Sequence, residues 1–128
     1  MALSNTPPSR PGGLDTQALD RLRELDPDGR HGVVHRVLTA FEGSLARMCT
    51  VLEGQAAADV ADPGVVNGIA HTLKSSSASV GALALARACA EVENHLRLDP
   101  GRELAPDIQH LLAESAAALV AVRAMLRP

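Results

Sequence analysis

The chain has 128 residues, of which 46% are hydrophobic, and this composition is enough for one small domain with its own core. A formal net charge of −3, one Phe and no Trp or Tyr exclude a general nucleic-acid binder, which needs basic patches and stacking aromatics. The sequence has no run of about 18 apolar residues and no signal-peptide pattern. Its two cysteines, Cys49 and Cys89, lack the spacing of a metal or redox site. We therefore expect a cytoplasmic protein.

The N-terminal part of the chain predicts a leader followed by one short helix. Residues 1–13 are rich in proline and end in a glycine pair, which is typical of a disordered leader or linker. Between Leu14 and Leu25, leucines recur on one face and Asp15 is a candidate N-cap, so a short helix is predicted. The segment Asp26-Pro27-Asp28-Gly29 that follows predicts a turn.

Two longer helices are predicted next. From about Arg30 to Gln55, apolar residues step by three and four, which indicates an amphipathic helix that ends near Gly54. Asp62-Pro63 is a strong helix start, because an N-cap is followed by proline at the first helical position. This third helix is predicted to run to about Val80, where Gly81 allows it to stop or bend.

Two further helices complete the predicted fold. The first carries a stripe made of Leu85, Cys89, Val92 and Leu96. A break at Asp99-Pro100-Gly101 separates it from a last helix that begins at about Pro106. The apolar residues are almost all aliphatic, and the long amphipathic segments are separated by short breaks. Both features favour an all-α fold. We therefore predict an antiparallel up-down four-helix bundle with a short extra N-terminal helix, over residues 14–128.

The helix that carries His71 has two contrasting sides. At about 100° per residue, Lys74 and Ser75 flank His71. Small or polar residues share its side, namely Gly64, Asn67, Gly68 and Ala78. The opposite side is an apolar stripe of Val66, Ile69, Leu73 and Val80. A large partner could reach such an imidazole, and a dianion bound to it would lie near an ammonium group, so we predict that His71 is itself the substrate.

The residues around His71 also follow a known spacing. The pattern is His71-x-x-Lys74-x-Ser76-Ser77-x-x-x-Gly81, followed by Leu85, Cys89, Val92 and Glu93. It resembles the histidine-containing phosphotransfer (HPt) domain of phosphorelays. That family usually has glycine directly after the lysine, where this chain has Ser75, and the hydroxymethyl group is expected to narrow access to the imidazole without closing it.

The resemblance implies a function in two-component signalling. His71 would accept a phosphoryl group from the aspartyl phosphate of a response-regulator receiver domain and pass it to another receiver. A sensor or hybrid histidine kinase would lie upstream. The chain would be a phosphoryl carrier and not an enzyme, with no cofactor of its own, because Mg²⁺ in such relays belongs to the receiver.

The resemblance also implies roles for the residues near His71. Lys74 would compensate the charge of the phosphoryl group, and Glu93 would accept a hydrogen bond from Nδ1 of His71 and leave Nε2 free to attack. Arg97, one turn beyond Glu93, would pair with Glu93 or help to hold phosphate. The face that receives the partner would consist of Asn67, Gly68, Ser75, Ala78 and Arg97.

Three other interpretations remain open from the sequence. In the first, a kinase catalytic domain would phosphorylate the histidine directly. Position 93 is a glutamate and not a glutamine, which is compatible with this interpretation. A helical scaffold would use the same face to dock a partner without chemistry. A metal site is the third, because His31 and His35 lie four residues apart, but no third ligand is evident, so we predict solvated side chains and no metal.

Overall fold

The protein is described by a computed structural model that covers residues 13–127. Its regular structure is helical throughout this range, with α1 at Thr16–Glu24, α2 at Val33–Ala57, α3 at Pro63–Val80, α4 at Leu83–Leu98 and α5 at Ala105–Leu126. The predicted all-α class is therefore confirmed. The predicted disordered leader over residues 1–13 lies, except for Gly13, outside the described residues.

The four long helices form the predicted bundle. Helix α3 packs most extensively against α4, α2 packs against α5, and the α2–α3 and α4–α5 contacts close the ring. Helices α3 and α4 are joined only by Gly81 and Ala82, as expected of antiparallel neighbours. The short helix α1 lies against α2 and α3 and is the extra helix that the sequence predicted.

The core is almost entirely aliphatic. Its largest side chains with less than 2% exposure are Leu38, Leu45, Leu52, Leu73, Leu85, Ile108 and Leu111. The predicted apolar stripe of α3 is confirmed, because Val66, Ile69, Leu73 and Val80 are all buried. Burying this stripe fixes the rotation of α3, so the side that carries His71 faces outward.

Two of the predicted helix starts are also confirmed. The carboxylate of Asp15 accepts a hydrogen bond from the Ala18 N–H at 3.2 Å and caps α1. Asp62 accepts from the Gly64 N–H at 2.9 Å and caps α3, where Pro63 occupies the first turn. Such caps satisfy N–H groups that have no partner inside the helix.

Helix α2 begins and ends later than predicted. It starts at Val33 and not near Arg30, because Gly32 adopts a left-handed conformation with φ of +59°. The buried carboxylate of Asp26 accepts hydrogen bonds from the N–H groups of His31 and Val33. Burial opposes ionisation, but these donors outweigh it and hold the pKa of Asp26 below its usual value. The helix also continues through Gly54 to Ala57.

The end of α3 supports the start of α1. Gly81 has φ of +83°, and its carbonyl accepts a hydrogen bond from the Asp15 N–H at 2.8 Å. A Cβ atom at this position would lie 2.6 Å from the Asp15 nitrogen. Glycine is therefore required here both for backbone conformation and for close approach.

Candidate functional site

His71 lies halfway along α3 with its side chain 73% exposed. The residues predicted to surround it, Asn67, Gly68, Ser75 and Ala78, are all exposed, as is Gly64. None of them has a side chain larger than asparagine. A partner can therefore approach the imidazole along the outer side of α3.

Glu93 reaches the imidazole from α4. The apolar residues of α4 turn into the core, with Cys89, Val92 and Leu96 buried, and this rotation directs Glu93 toward α3. Glu93 Oε2 lies 2.9 Å from Nδ1 of His71. Because an ionised carboxylate only accepts hydrogen bonds, Nδ1 must carry the proton and donate it. The lone pair of the neutral ring is then on Nε2.

The same carboxylate binds Lys74. The Lys74 Nζ lies 2.7 Å from Glu93 Oε1, so each oxygen of Glu93 has its own partner on α3. The side chain of Glu93 is only 19% exposed, whereas that of Lys74 is 45% exposed. The sequence predicted that Lys74 lies near His71, but not that its ammonium group is engaged by Glu93. That contact depends on the packing of α3 against α4.

These contacts control the ionisation of Glu93. The ion pair with Lys74 has the largest effect, burial opposes it, and the contact with His71 adds to the effect of Lys74. Together they hold the pKa of Glu93 below its usual value. Glu93 is therefore an anion at neutral pH, as the contacts to Nδ1 and Nζ require.

We expect the contacts of Glu93 to appear in the acid dependence of stability. A carboxylate whose pKa is lowered by folding stabilises the folded state above its unfolded pKa of about 4.3, and this contribution is lost as pH falls through the folded value. The free energy of unfolding should therefore fall less steeply below about pH 5 in Glu93→Gln than in the wild type. Urea unfolding at a series of pH values measures this.

The matched control is Glu91→Gln. Glu91 is an exposed glutamate of the same helix that contacts His110 and neither Lys74 nor His71. Its replacement should leave the acid slope as it is in the wild type. Parallel slopes in the wild type and in Glu93→Gln would show that the contacts of Glu93 are not maintained in solution.

Arg97 extends the site along α4. A depression of about 500 Å³ lies beside Glu93, lined by Asn67, Lys74, Ala90, Glu93, Asn94, Leu96 and Arg97. Arg97 donates to the Asn94 side chain, so its predicted pairing with Glu93 is not observed. The structure thus brings Asn67, Lys74, Glu93 and Arg97 to one recess. Gly68, Ser75 and Ala78 are not among the lining residues and lie on the open side of α3.

The other reactive side chains do not form a second site of this kind. No group of three or more His, Cys, Asp and Glu side chains in residues 13–127 could hold a metal ion, and His31 and His35 are both exposed. Cys89 is fully buried, and burial raises the pKa of its thiol to about 12. The thiol is therefore protonated at neutral pH and is not a nucleophile.

One polar cluster was missed by the sequence analysis. His95 Nδ1 lies 2.9 Å from Asp107 Oδ1, and Arg102 Nε lies 3.0 Å from Asp107 Oδ2. Asp107 is 3% exposed in the first turn of α5, where a carboxylate is favoured by the helix dipole. The cluster connects the end of α4 to the start of α5. The only signal in the sequence was an aspartate directly after Pro106.

Comparisons with known proteins identify one family. The model of the Hpt domain matches residues 36–124, well over half of the chain, and this range includes His71, Lys74 and Glu93. No curated protein and no solved structure gives a significant match. Among the helices of the described residues, none is long and apolar enough to cross a membrane.

Proposed function

The chain belongs to the Hpt domain family, and on this basis we propose that His71 accepts a phosphoryl group from the aspartyl phosphate of one receiver domain and donates it to another. Domains of this family are phosphotransfer histidine domains of two-component signalling, and they work with receiver domains and histidine kinases in phosphorelays. The observation that carries the proposal is the exposed imidazole whose Nδ1 is held by Glu93 at 2.9 Å.

The chemistry follows from this tautomer. The Nε2 lone pair attacks phosphorus, a N–P bond forms, and the P–O bond to the receiver aspartate breaks so that the aspartate leaves as a carboxylate. No proton has to move, because Nδ1 keeps its hydrogen. The ring becomes positively charged as the N–P bond forms, and the Glu93 carboxylate already faces that charge. The same steps in reverse transfer the phosphoryl group from His71 to the aspartate of the next receiver.

The surrounding residues support docking and charge compensation. We assign Lys74 to compensation of the phosphoryl charge and Arg97, with Asn67, to the phosphate or receiver face, because they line the recess beside Glu93. Gly68, Ser75 and Ala78 would lie against the receiver, since small side chains permit close approach.

The proposal also concerns the partner and the cellular compartment. We expect Mg²⁺ in the receiver and no cofactor in this chain, which would act as a carrier without its own catalytic cycle. Residues 14–128 would form the phosphotransfer domain. A cytoplasmic location is part of the proposal and is supported by Cys49 and Cys89, which are free thiols, as expected in a reducing compartment.

Ser75 tests whether access to the imidazole limits docking. Ser75→Leu places a branched side chain one residue beyond Lys74 on the exposed side of α3 and should weaken receiver binding about tenfold, or about 1.4 kcal/mol. Ser75→Gly should bind as well as the wild type or better. Calorimetric titration with a receiver domain measures both variants.

Ala116→Leu is the control for Ser75→Leu. It adds the same leucine side chain at an exposed position of α5, a helix that packs mainly against α2 and α4. We expect no change in receiver affinity. Wild-type affinity in Ser75→Leu would show that the receiver does not approach along this side of α3.

Transfer from a labelled receiver tests the proposed function. A receiver carrying a radioactive phosphoryl group on its aspartate should pass acid-labile label to this domain, and a second receiver should then remove it. Docking of the receiver without transfer would support the scaffold interpretation. Label that enters only from a kinase catalytic domain with ATP would support direct phosphorylation by a kinase.

A further inference from the structure

The two oxygens of Glu93 hold two different groups of α3. Oε2 lies 2.9 Å from the imidazole Nδ1 and Oε1 lies 2.7 Å from the Lys74 ammonium. Glu93 itself is largely enclosed, whereas Lys74 has a flexible stem that is almost half exposed. The carboxylate is therefore the fixed member of the trio and the ammonium group is the mobile one.

Phosphorylation of His71 would change the charges around this trio. A phosphoryl group on Nε2 brings a negative charge of about 1.5 to 2 close to Lys74, which lies one helical turn from His71. The ring becomes positive at the same time, and its Nδ1–H already donates to Glu93. The imidazolium ring would then be a cationic partner for Glu93. The phosphoryl group would compete with Glu93 for the ammonium group of Lys74.

We propose that Lys74 exchanges partners during transfer, pairing with Glu93 when His71 is unmodified and with the phosphoryl group when His71 carries one. This inference rests on the proposed function. The charges balance in both states: Glu93 pairs with Lys74 in the first and with the imidazolium ring in the second. Lys74 must leave Glu93 before it can bind the phosphoryl group. The free energy of the Lys74–Glu93 pair is therefore subtracted from the stabilisation that Lys74 gives to the phosphorylated form. The Lys74–Glu93 pair thus sets how readily the domain gives its phosphoryl group away.

A double-mutant cycle tests the exchange. The equilibrium constant for transfer from one phosphorylated receiver is measured in the wild type, Lys74→Gln, Glu93→Gln and the double variant. In Glu93→Gln the amide oxygen still accepts from Nδ1, but the amide group no longer attracts the ammonium. Removal of Lys74 should therefore reduce the equilibrium constant about two- to fivefold more in the Glu93→Gln background, which is the range for a partly exposed ion pair.

The cycle has a matched control and decisive outcomes. In a Glu91→Gln background, which removes the same charge from an exposed position of α4, the effect of Lys74→Gln should equal that in the wild type. If Lys74→Gln had the same effect in the Glu93→Gln background as in the wild type, competition between Glu93 and the phosphoryl group for Lys74 would be refuted. A smaller effect there would show that Lys74 acts only by positioning Glu93, which also overturns the exchange. If the wild type accepts no phosphoryl group, the proposed function itself is refuted.

Discussion

Replacement of His71 by glutamine is expected to abolish phosphorylation of the domain by a phosphorylated receiver while leaving the bundle folded. The variant lacks the lone pair of the imidazole Nε2, and the amide nitrogen of glutamine cannot replace it because its lone pair is delocalised into the carbonyl group. The His71 side chain is 73% exposed and makes one hydrogen bond, to Glu93, so its replacement should change the free energy of unfolding by no more than about 1.5 kcal/mol. Labelling with a radioactive receiver phosphate and urea unfolding measure the two effects.

His35→Gln is the control for this experiment. His35 is an exposed histidine of α2, and its replacement should leave both labelling and stability unchanged. If His71→Gln still takes up acid-labile label, another residue is the acceptor and the assignment of the site is wrong. If it loses label because it unfolds, His71 has a structural role that its exposure does not indicate.

Replacement of Gly81 by alanine is expected to be among the most destabilising single changes in the domain. Its φ of +83° costs an L-residue about 1–2 kcal/mol. The added Cβ would also lie 2.6 Å from the nitrogen and 2.7 Å from the oxygen of Asp15, so the start of α1 must move away from the end of α3. We expect a total loss of about 2–4 kcal/mol, measured by urea unfolding.

Gly29→Ala separates the two contributions at Gly81. Gly29 has a similar φ of +70°, but an added Cβ there meets no atom within 4 Å. It should therefore lose only the conformational part, about 1–2 kcal/mol. Equal losses in the two variants would show that the close approach to Asp15 adds nothing and that α1 is free to shift.

Features that depend on neighbouring residues along the chain could be predicted from the sequence. The caps at Asp15 and Asp62 are local, since each carboxylate reaches an N–H two or three residues away. The outward direction of His71 follows from the apolar stripe on the other side of its own helix. The Hpt resemblance rested on such local spacing together with Glu93, and the family match agrees with it.

Features that depend on packing between segments could not be predicted in this way. Asp26 caps α2 across seven residues because the chain folds back on itself, and the turn pattern alone does not show this. The Lys74–Glu93 ion pair requires α3 and α4 to pack with one rotation and one axial register. The contacts of Asp107 with His95 of α4 and with Arg102 of the following loop also depend on how these segments pack, so they could not be predicted either.

The position of the phosphorus atom on the phosphorylated domain tests the proposed role of His71 most directly. The domain, labelled with ¹⁵N in its histidine rings, is phosphorylated by a receiver and observed by nitrogen and phosphorus NMR above neutral pH, where phosphohistidine persists. We predict a single N–P bond at Nε2 of His71, with Nδ1 still protonated and donating to Glu93. Phosphorus bound to Nδ1 of His71, or to any other side chain, would contradict phosphoryl transfer to Nε2 of His71.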